Sequence, residues 1–541
     1  MAAGTIVSRL SGFVRTSLLA AAIGTGLHAD LFNIANTIPN MLYILLAGGV
    51  FNAVLVPQLV KAIRNDPDGG AAYTNRVITL AALFLGFVSV VLVAAAPLVM
   101  RVLLDPVYFD PTHKEQLESI VDFARYCLPQ VFFYGMFVLV GQVLNARRSF
   151  GPMMWAPIAN NVISVLVLIG YLIGMGAASS ADQCRGFSRG AEAWLGIGST
   201  LGIVAQFLIL VPYLKKAGFS YRPRFDFRGS GLGQTFRLGL WTVLFVVVNQ
   251  IAYTVVVRIA SSGTATGGAC GSTSQGTGYT IYSNAFLLVM VPHAIITVSL
   301  ATAVLPRLAG YAAAGRRISL AASVSATMRS TYALVLPVLA LLPIVAPDLA
   351  SLIFGWGAAK DTYTDFVPTL SLFALGVFFF TSHYLVLRGF YALEQNRRVF
   401  FIQCVISVVN IVAAIALTHH VDPQQTAPRL VLAYTLSYAV GAAISFRLLS
   451  VQTHGLGGGE LVRFSVRIVV VTGLAVAFAF GVHELAHLAL DGTDKISVLV
   501  RLVSVGGAGM AAYLWLARVF HLTEVNEVTD LVAARLGRSG R

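Results

Sequence analysis

The chain has 541 residues, of which 57% are hydrophobic and 11% charged, and its formal net charge is +14. A mean hydropathy of +0.79 is more apolar than any water-facing surface allows, so a soluble globule is excluded and the chain reads as a polytopic membrane protein. The basic surplus would suit nucleic acid only if it were clustered on one domain. Instead it is divided among alternate loops, so nucleic-acid binding is excluded as well.

Runs of about 20 mostly apolar residues mark fourteen candidate spans. A β-barrel does not fit, because barrel strands alternate in polarity while these runs are continuously apolar. The first span, residues 5–24, carries Arg9 and Arg15. The second, 31–60, holds Asn36 and Asn40 one turn apart and is interrupted by Pro39 and Gly48-Gly49. Spans follow at 77–104, 122–145, 153–176 and 192–214, with Asn145 closing the fourth. A Gly-rich, basic stretch at 218–235 then reads as a cytoplasmic linker or an ordinary solvated loop. The seventh span, 236–260, carries Asn249 and, near its outer end, Arg258; the eighth, 280–305, contains Pro292. Spans at 319–345, 364–387, 399–418 and 429–449 complete a set of twelve, and 464–486 and 496–517 add a pair. Past them, Val525, Val528, Leu531, Val532 and Leu536 recur at helical spacing beside Arg535 and Arg538, as in an interfacial helix.

Basic residues lie in alternate loops, including Lys61 and Arg64, Arg147-Arg148, Lys215-Lys216, Arg316-Arg317, Arg397-Arg398 and Arg463. The positive-inside rule therefore puts both termini in the cytoplasm, as an even span count requires. No cleavable signal peptide is recognisable in the arginine-bearing first span. Cys184 and Cys270 fall in loops on the outer side, where a disulfide is permitted, although spacing alone leaves two free thiols equally open.

Two local patterns recur at an offset of about 250 residues: Val56-Pro57 against Leu305-Pro306, and Arg147-Arg148 against Arg397-Arg398. This spacing predicts a duplicated bundle. The expected architecture is all-α, with about 14 transmembrane helices in two six-helix lobes related by a pseudo-two-fold axis along the membrane normal, plus two C-terminal helices. The corresponding divisions are an N-lobe at 1–217, the linker at 218–235, a C-lobe at 236–451, the appended pair at 452–520 and the tail at 521–541. Interruptions in the second and eighth spans, at matching places in the two halves, suit discontinuous helices beside a substrate path, and equally the kinks that transmembrane Pro and Gly often make.

The residues that point to chemistry are the arginines. An ionisable group at bilayer depth costs at least ~2.5–3.5 kcal/mol, so it faces a wet cavity or a partner. Arg9 is close enough to the helix end to snorkel, whereas Arg15 lies roughly 15 Å deep at 1.5 Å per residue. A guanidinium stays charged and donates two parallel hydrogen bonds, which suits a phosphate or pyrophosphate group. The alternative is structural, with Arg15 paired internally with Asp30 or a carbonyl. Polar amides in the spans read mainly as interhelical glue, and Asn36 and Asn40 are the two expected to face a cavity. His483-Glu484-Leu485-Ala486-His487 fits H-E-x-x-H, the pattern of a zinc protease, but a third ligand would have to come from a distant helix. No phosphate-binding loop or nucleophile elbow is present, and no metal is assigned.

At Ser8-Arg9-Leu10-Ser11-Gly12-Phe13-Val14-Arg15, Ala29-Asp30, Ile38-Pro39-Asn40 and Val56-Pro57 the chain resembles the MurJ/MviN family of lipid II flippases. Further matches are Gly141 with Leu144-Asn145, Ala156-Pro157 with Asn160, Leu305-Pro306, and Arg388-Gly389-Phe390-Tyr391-Ala392. The resemblance implies a non-enzymatic transporter of the bacterial cytoplasmic membrane, without cofactor, in which the last two helices form a groove for a lipid tail. Its substrate would be lipid II, the undecaprenyl-pyrophosphate-linked peptidoglycan precursor, carried outward by alternating access. Membrane lipid and cell-wall synthesis or regulatory proteins are the other partners it implies. By position, Arg9 and Arg15 match the family's cavity arginines and Asp30 its conserved acid, which would order or gate the arginine side; from the residue pattern Asn36 and Asn40 are added as contacts to sugar or backbone, and Arg258, Asn145 and Asn249 as secondary candidates. This chain has Leu42 and Tyr43, Ala47 and Gly48, and Leu287 where the family often carries further charge. Rival readings are a flippase for another polyprenyl-linked glycan, a cation-coupled drug antiporter of the same superfamily, and the zinc protease.

Overall fold

The structure is a computed structural model that describes residues 2–46, 56–179, 182, 185–226, 232–266, 276–490, 492 and 494–526. Among these residues there is no strand. Twelve helices are long and apolar enough to cross a membrane. The two other expected spans are α1 and the broken second span, so each of the fourteen apolar runs has its helical counterpart. The chain divides into two compact units, Met1–Thr280 with Ile353–Thr362 and His420–Thr426, and Ile281–Leu352 with Tyr363–His419 and Ala427–Arg541.

The first unit is built from α1 (Ala2–Ile23), α2 (Leu27–Ala35), α3 (Thr37–Ile44), α4 (Val56–Asn65), α5 (Ala71–Ala94) and α6 (Ala96–Leu103). It continues with α7 (Lys114–Cys127), α8 (Gln130–Ala146), α9 (Gly151–Gly174), α10 (Arg189–Lys216) and α11 (Leu232–Thr266). Breaks fall where the sequence interferes with the helical ladder. Pro39 has no N–H to give Ala35, and the chain turns at Asn36, which ends α2 and begins α3. Pro97 follows the α5–α6 bend at Ala95, and Leu128-Pro129 separates α7 from α8. The core of this unit is Val77, Leu85, Phe137, Leu144, Leu210 and Phe219, from α5, α8, α10 and the segment that follows α10.

Lipid tails are as apolar as leucine, so close packing rather than water exclusion brings such helices together. On α10, a Cβ at Gly198 would collide with Val167, and one at Gly202 with the Asn160 side chain. These two positions let α10 lie against α9.

The stretch after α10 differs from a free linker. Residues 219–226 are non-helical and bound along the first turns of α5: Arg222 N donates to Asn75 Oδ1 at 2.8 Å and Arg224 N to Thr79 Oγ1 at 3.1 Å. Tyr221 shares a 3.0 Å hydrogen bond with Thr79, and Arg76 pairs with Asp226. Asn75 and Thr79 of α5 are buried beneath this segment and take up its backbone N–H groups, which makes it a strap. Residues 227–231 lie outside the described residues.

The second unit contains α12 (Tyr279–Pro292) from Ile281 onward, α13 (Val298–Ala313), α14 (Arg317–Phe354) as far as Leu352, α15 (Phe366–Ala392), α16 (Asn396–Thr418), α17 (Thr426–Gln452) from Ala427 onward, α18 (Gly458–Ala489) and α19 (Lys495–Val519). After Pro292, residues His293–Thr297 form a π-helical turn that joins α12 to α13. Such bulges relieve a ladder that proline has interrupted. Phe286, Phe373, Phe380, Tyr434 and Tyr438 pack ring against ring, with centroids 4.6 to 6.5 Å apart.

The appended pair, α18 and α19, docks on α14. Leu341, Ala479 and Val505 form their shared core, Tyr513 Oη donates to Ala333 O at 2.7 Å, and Arg329 pairs with Glu460 at 3.2 Å and Glu524 at 3.2 Å. Cys184, Cys270 and the tail from residue 527 lie outside the described residues, and with them the expected disulfide and most of the interfacial helix.

Candidate functional site

Helix α1 runs unbroken through Gly12, where a Cβ would make only ordinary contact with Asn161 Nδ2. Its register against α9 is held by Asn161, whose amide donates to Ser8 O and Ser11 Oγ, both at 2.9 Å. With that face committed to α9, the arginines are directed elsewhere. Arg9 is exposed and Arg15 half-buried, and neither forms an ion pair or hydrogen bond with a described residue. Arg15 lies within electrostatic reach of the Tyr134 hydroxyl on α8, and Tyr134 packs against Tyr43 of α3 with ring centroids 5.0 Å apart. An aromatic, hydroxyl-bearing pair is thus within electrostatic reach of Arg15, and no described acid pairs with it. Tyr43 stands there in place of one of the further charges implied by the resemblance.

Asp30 is not the partner of Arg15. Fully buried in the first turn of α2, it accepts from Thr264 Oγ1 at 2.7 Å, Tyr279 N at 3.0 Å and Thr280 N at 2.6 Å. The carboxylate thus ties α2 to the end of α11 and to the first two residues of α12. A Cβ at Gly278 would collide with its Oδ2, so glycine is required for this approach.

Asn36 and Asn40 separate in role despite their shared face. Asn36 Oδ1 accepts from Gln130 Nε2 at 3.1 Å and Ser199 Oγ at 3.2 Å, which consumes it in joining α2 to α8 and α10. Asn40 is exposed and its amide donates only to Asn36 O, at 2.9 Å, leaving its carbonyl oxygen without a described partner. Of the secondary candidates, Arg258 donates to Arg101 O at 3.1 Å and Val102 O at 3.4 Å, where a cation caps the C-terminal turn of α6. Asn145 Nδ2 bonds Gln142 Oε1 at 3.3 Å and Met153 Sδ at 3.4 Å. Asn249 lies on α11 one residue before Gln250, whose amide reaches Met41 O at 2.7 Å. Leu287, on α12, is exposed. Ala47 and Gly48 lie outside the described residues.

Of the candidate residues in the first unit, Arg9, Arg15 and the Asn40 carbonyl are the groups with no described hydrogen-bond or ion-pair partner. Sequence reasoning selected all three, but it did not distinguish them from Asn36 and Asp30, whose bonding capacity is taken by distant segments. Tyr43 and Tyr134 were not selected, because aromatic residues in apolar spans carry no signal of their own.

A bundle of long apolar helices, with broken helices and, among the described residues, no strand and no partner for the two arginines of its first span, defines a polytopic membrane transporter. Its fold is shared with a solved lipid II flippase MurJ in an inward closed conformation, at a TM-score of 0.71 and 15% identity, covering 96% of this chain and 98% of that one. A multidrug resistance MATE family transporter of the MOP superfamily, inward-facing, matches at a TM-score of 0.61 and 15% identity, over 82% and 95% of the two chains. The chain belongs to the lipid II flippase MurJ family, whose model matches residues 19–494. A probable lipid II flippase MurJ of Rhizobium meliloti (strain 1021) is 25% identical over 95% of this chain and 91% of its own length. The lipid II flippase MurJ of Burkholderia cenocepacia is 26% identical over 73% of this chain and 72% of its own.

Proposed function

We propose that this protein moves lipid II from the cytoplasmic to the outer leaflet of the bacterial cytoplasmic membrane by alternating access, with both termini in the cytoplasm. Arg9 and Arg15 hold the pyrophosphate, and Asn40 contacts the sugar or its peptide. Asp30 and Asn36 serve the site indirectly, by fixing the helices that carry those groups. The observation that carries this reading is the pair of arginines in the first span of a flippase-family chain, neither of them neutralised by a described acid. Two guanidiniums match the two phosphates of the head group, and such charge-assisted bonds are about twice as strong as neutral ones. With Tyr43 and Leu287 in place of further cations, Arg9 and Arg15 bear more of the charge recognition. Cell-wall synthesis or regulatory proteins are the partners expected around such a flippase.

The test is complementation of a flippase-depleted strain. Arg15→Ala abolishes growth at normal expression, while Arg258→Ala, which removes only a helix cap, preserves it. Full growth with Arg15→Ala overturns the site. Binding of purified protein to lipid II in preference to other polyprenyl pyrophosphates separates this reading from a sister flippase.

A further inference from the structure

The H-E-x-x-H run at the end of α18 has no part in head-group recognition, yet its two histidines do not stand alone. His483 and His487 lie one helical turn apart on one face, with ring centroids 4.4 Å apart and planes inclined by 69°. Facing them is Asp348 of α14, only 4% exposed. One donor atom from each of the three lies within 4.8 Å of the other two. The third ligand that the motif lacks in sequence, 135 positions away by the numbering of Asp348 and His483, is thus supplied by packing.

The hydrogen bonding around the cluster leaves it open to a ligand. Asp348 Oδ1 accepts from Arg501 Nε at 3.3 Å and Nη2 at 3.0 Å, whereas Oδ2 has no described partner. Arg501 is itself fixed, since its Nη1 donates to Leu490 O at 2.8 Å and Gly492 O at 3.1 Å. Neither imidazole hydrogen-bonds a described residue. The site therefore holds an oriented carboxylate with a free oxygen and two imidazoles with uncommitted nitrogens.

We propose that Asp348, His483 and His487 bind a zinc-class divalent cation that staples α14 to the appended pair. Two imidazoles and one carboxylate suit zinc, cobalt or nickel, whereas magnesium and calcium prefer all-oxygen shells. A tetrahedral ion with bonds of about 2.0–2.2 Å sets its ligands roughly 3.4 Å apart, so the donors draw in by at most about 1.4 Å on binding. Side-chain rotation of two histidines on one helix face supplies that movement. Arg501 positions Asp348 from its other oxygen, as outer-shell partners of metal-binding carboxylates do. Glu484 is exposed and is not among the three converging donors, so the site is a structural clamp in a transporter.

The test uses tag-free, full-length protein in detergent, stripped with chelator and dialysed against zinc. One zinc per chain is expected by elemental analysis, with a rise in Tm of several degrees that magnesium does not reproduce. His487→Ala and His483→Gln, which leave the Asp348–Arg501 pair intact, lose the bound zinc and the zinc-dependent shift while keeping the metal-free Tm of the parent. Absence of zinc from the parent protein, or equal zinc in parent and variants, overturns the proposal. A magnesium shift as large as that with zinc overturns the assigned class. None of these readouts depends on which lipid the protein carries.

Discussion

Side chains of one type have different fates in this protein according to what reaches them. Arg258 and Arg501 are absorbed by carbonyls and a carboxylate, while Arg9 and Arg15 have no described neighbour that could take their charge. Asp30 shows the opposite case, a buried acid whose charge is spread over three donors rather than set against a cation. Replacing it with alanine leaves the Tyr279 and Thr280 N–H groups and the Thr264 hydroxyl to find other acceptors, at about 1–3 kcal/mol per orphaned donor. Asp30→Ala is accordingly expected to lower the detergent-state Tm well below that of Arg15→Ala, with Asp30→Asn between them. Equal melting of Asp30→Ala and the parent would remove the clamp role. The sequence marks Asp30 as costly, but its partners lie some 230 to 250 positions away, so its role was not legible locally.

Helices were the most legible level, because each apolar run is long enough to declare itself and prolines mark most of the breaks. Pro39 and Pro292 both disturb their spans, one with a turn at Asn36 and the other with a π-helical turn at His293–Thr297. The strap at 219–226 was not legible. The 218–235 stretch that contains it is Gly-rich and basic, as a linker is, while the groups that hold the strap belong to α5. Arg76 donates to Asp226 and holds its carboxyl below the usual carboxylate range. Since the folded-state value is lowered, this pairing stabilises the strap above the ordinary carboxylate range and fades as pH falls through the lowered value. At neutral pH, Asn75→Ala and Asp226→Asn are each expected to speed tryptic cleavage after Arg224 several-fold relative to the parent. Unchanged cleavage in both variants would mean that the strap is held by something else.

For the whole molecule, the distribution of basic residues makes a claim about orientation. If alternate loops are cytoplasmic, cysteines introduced into a cysteine-free background divide by side. Ala314→Cys, beside Arg316 and Arg317, is expected to react with an impermeant maleimide only after permeabilisation, and Ser179→Cys to react in intact cells; the reverse pattern would invert the topology. The sequence by itself determined the membrane class, the number and placement of the apolar helices and the two arginines, because these depend on local composition and on the cost of charge in hydrocarbon. Only the tertiary structure decided which polar groups are already satisfied: Asp30 by Thr264 and the start of α12, Asn36 by Gln130 and Ser199, and Arg258 by the end of α6. It also brought Asp348 to His483 and His487. The physical reason is that a hydrogen bond or a metal-ligand set is fixed by distances of a few ångströms, and segments hundreds of residues apart acquire such distances only when the helices pack.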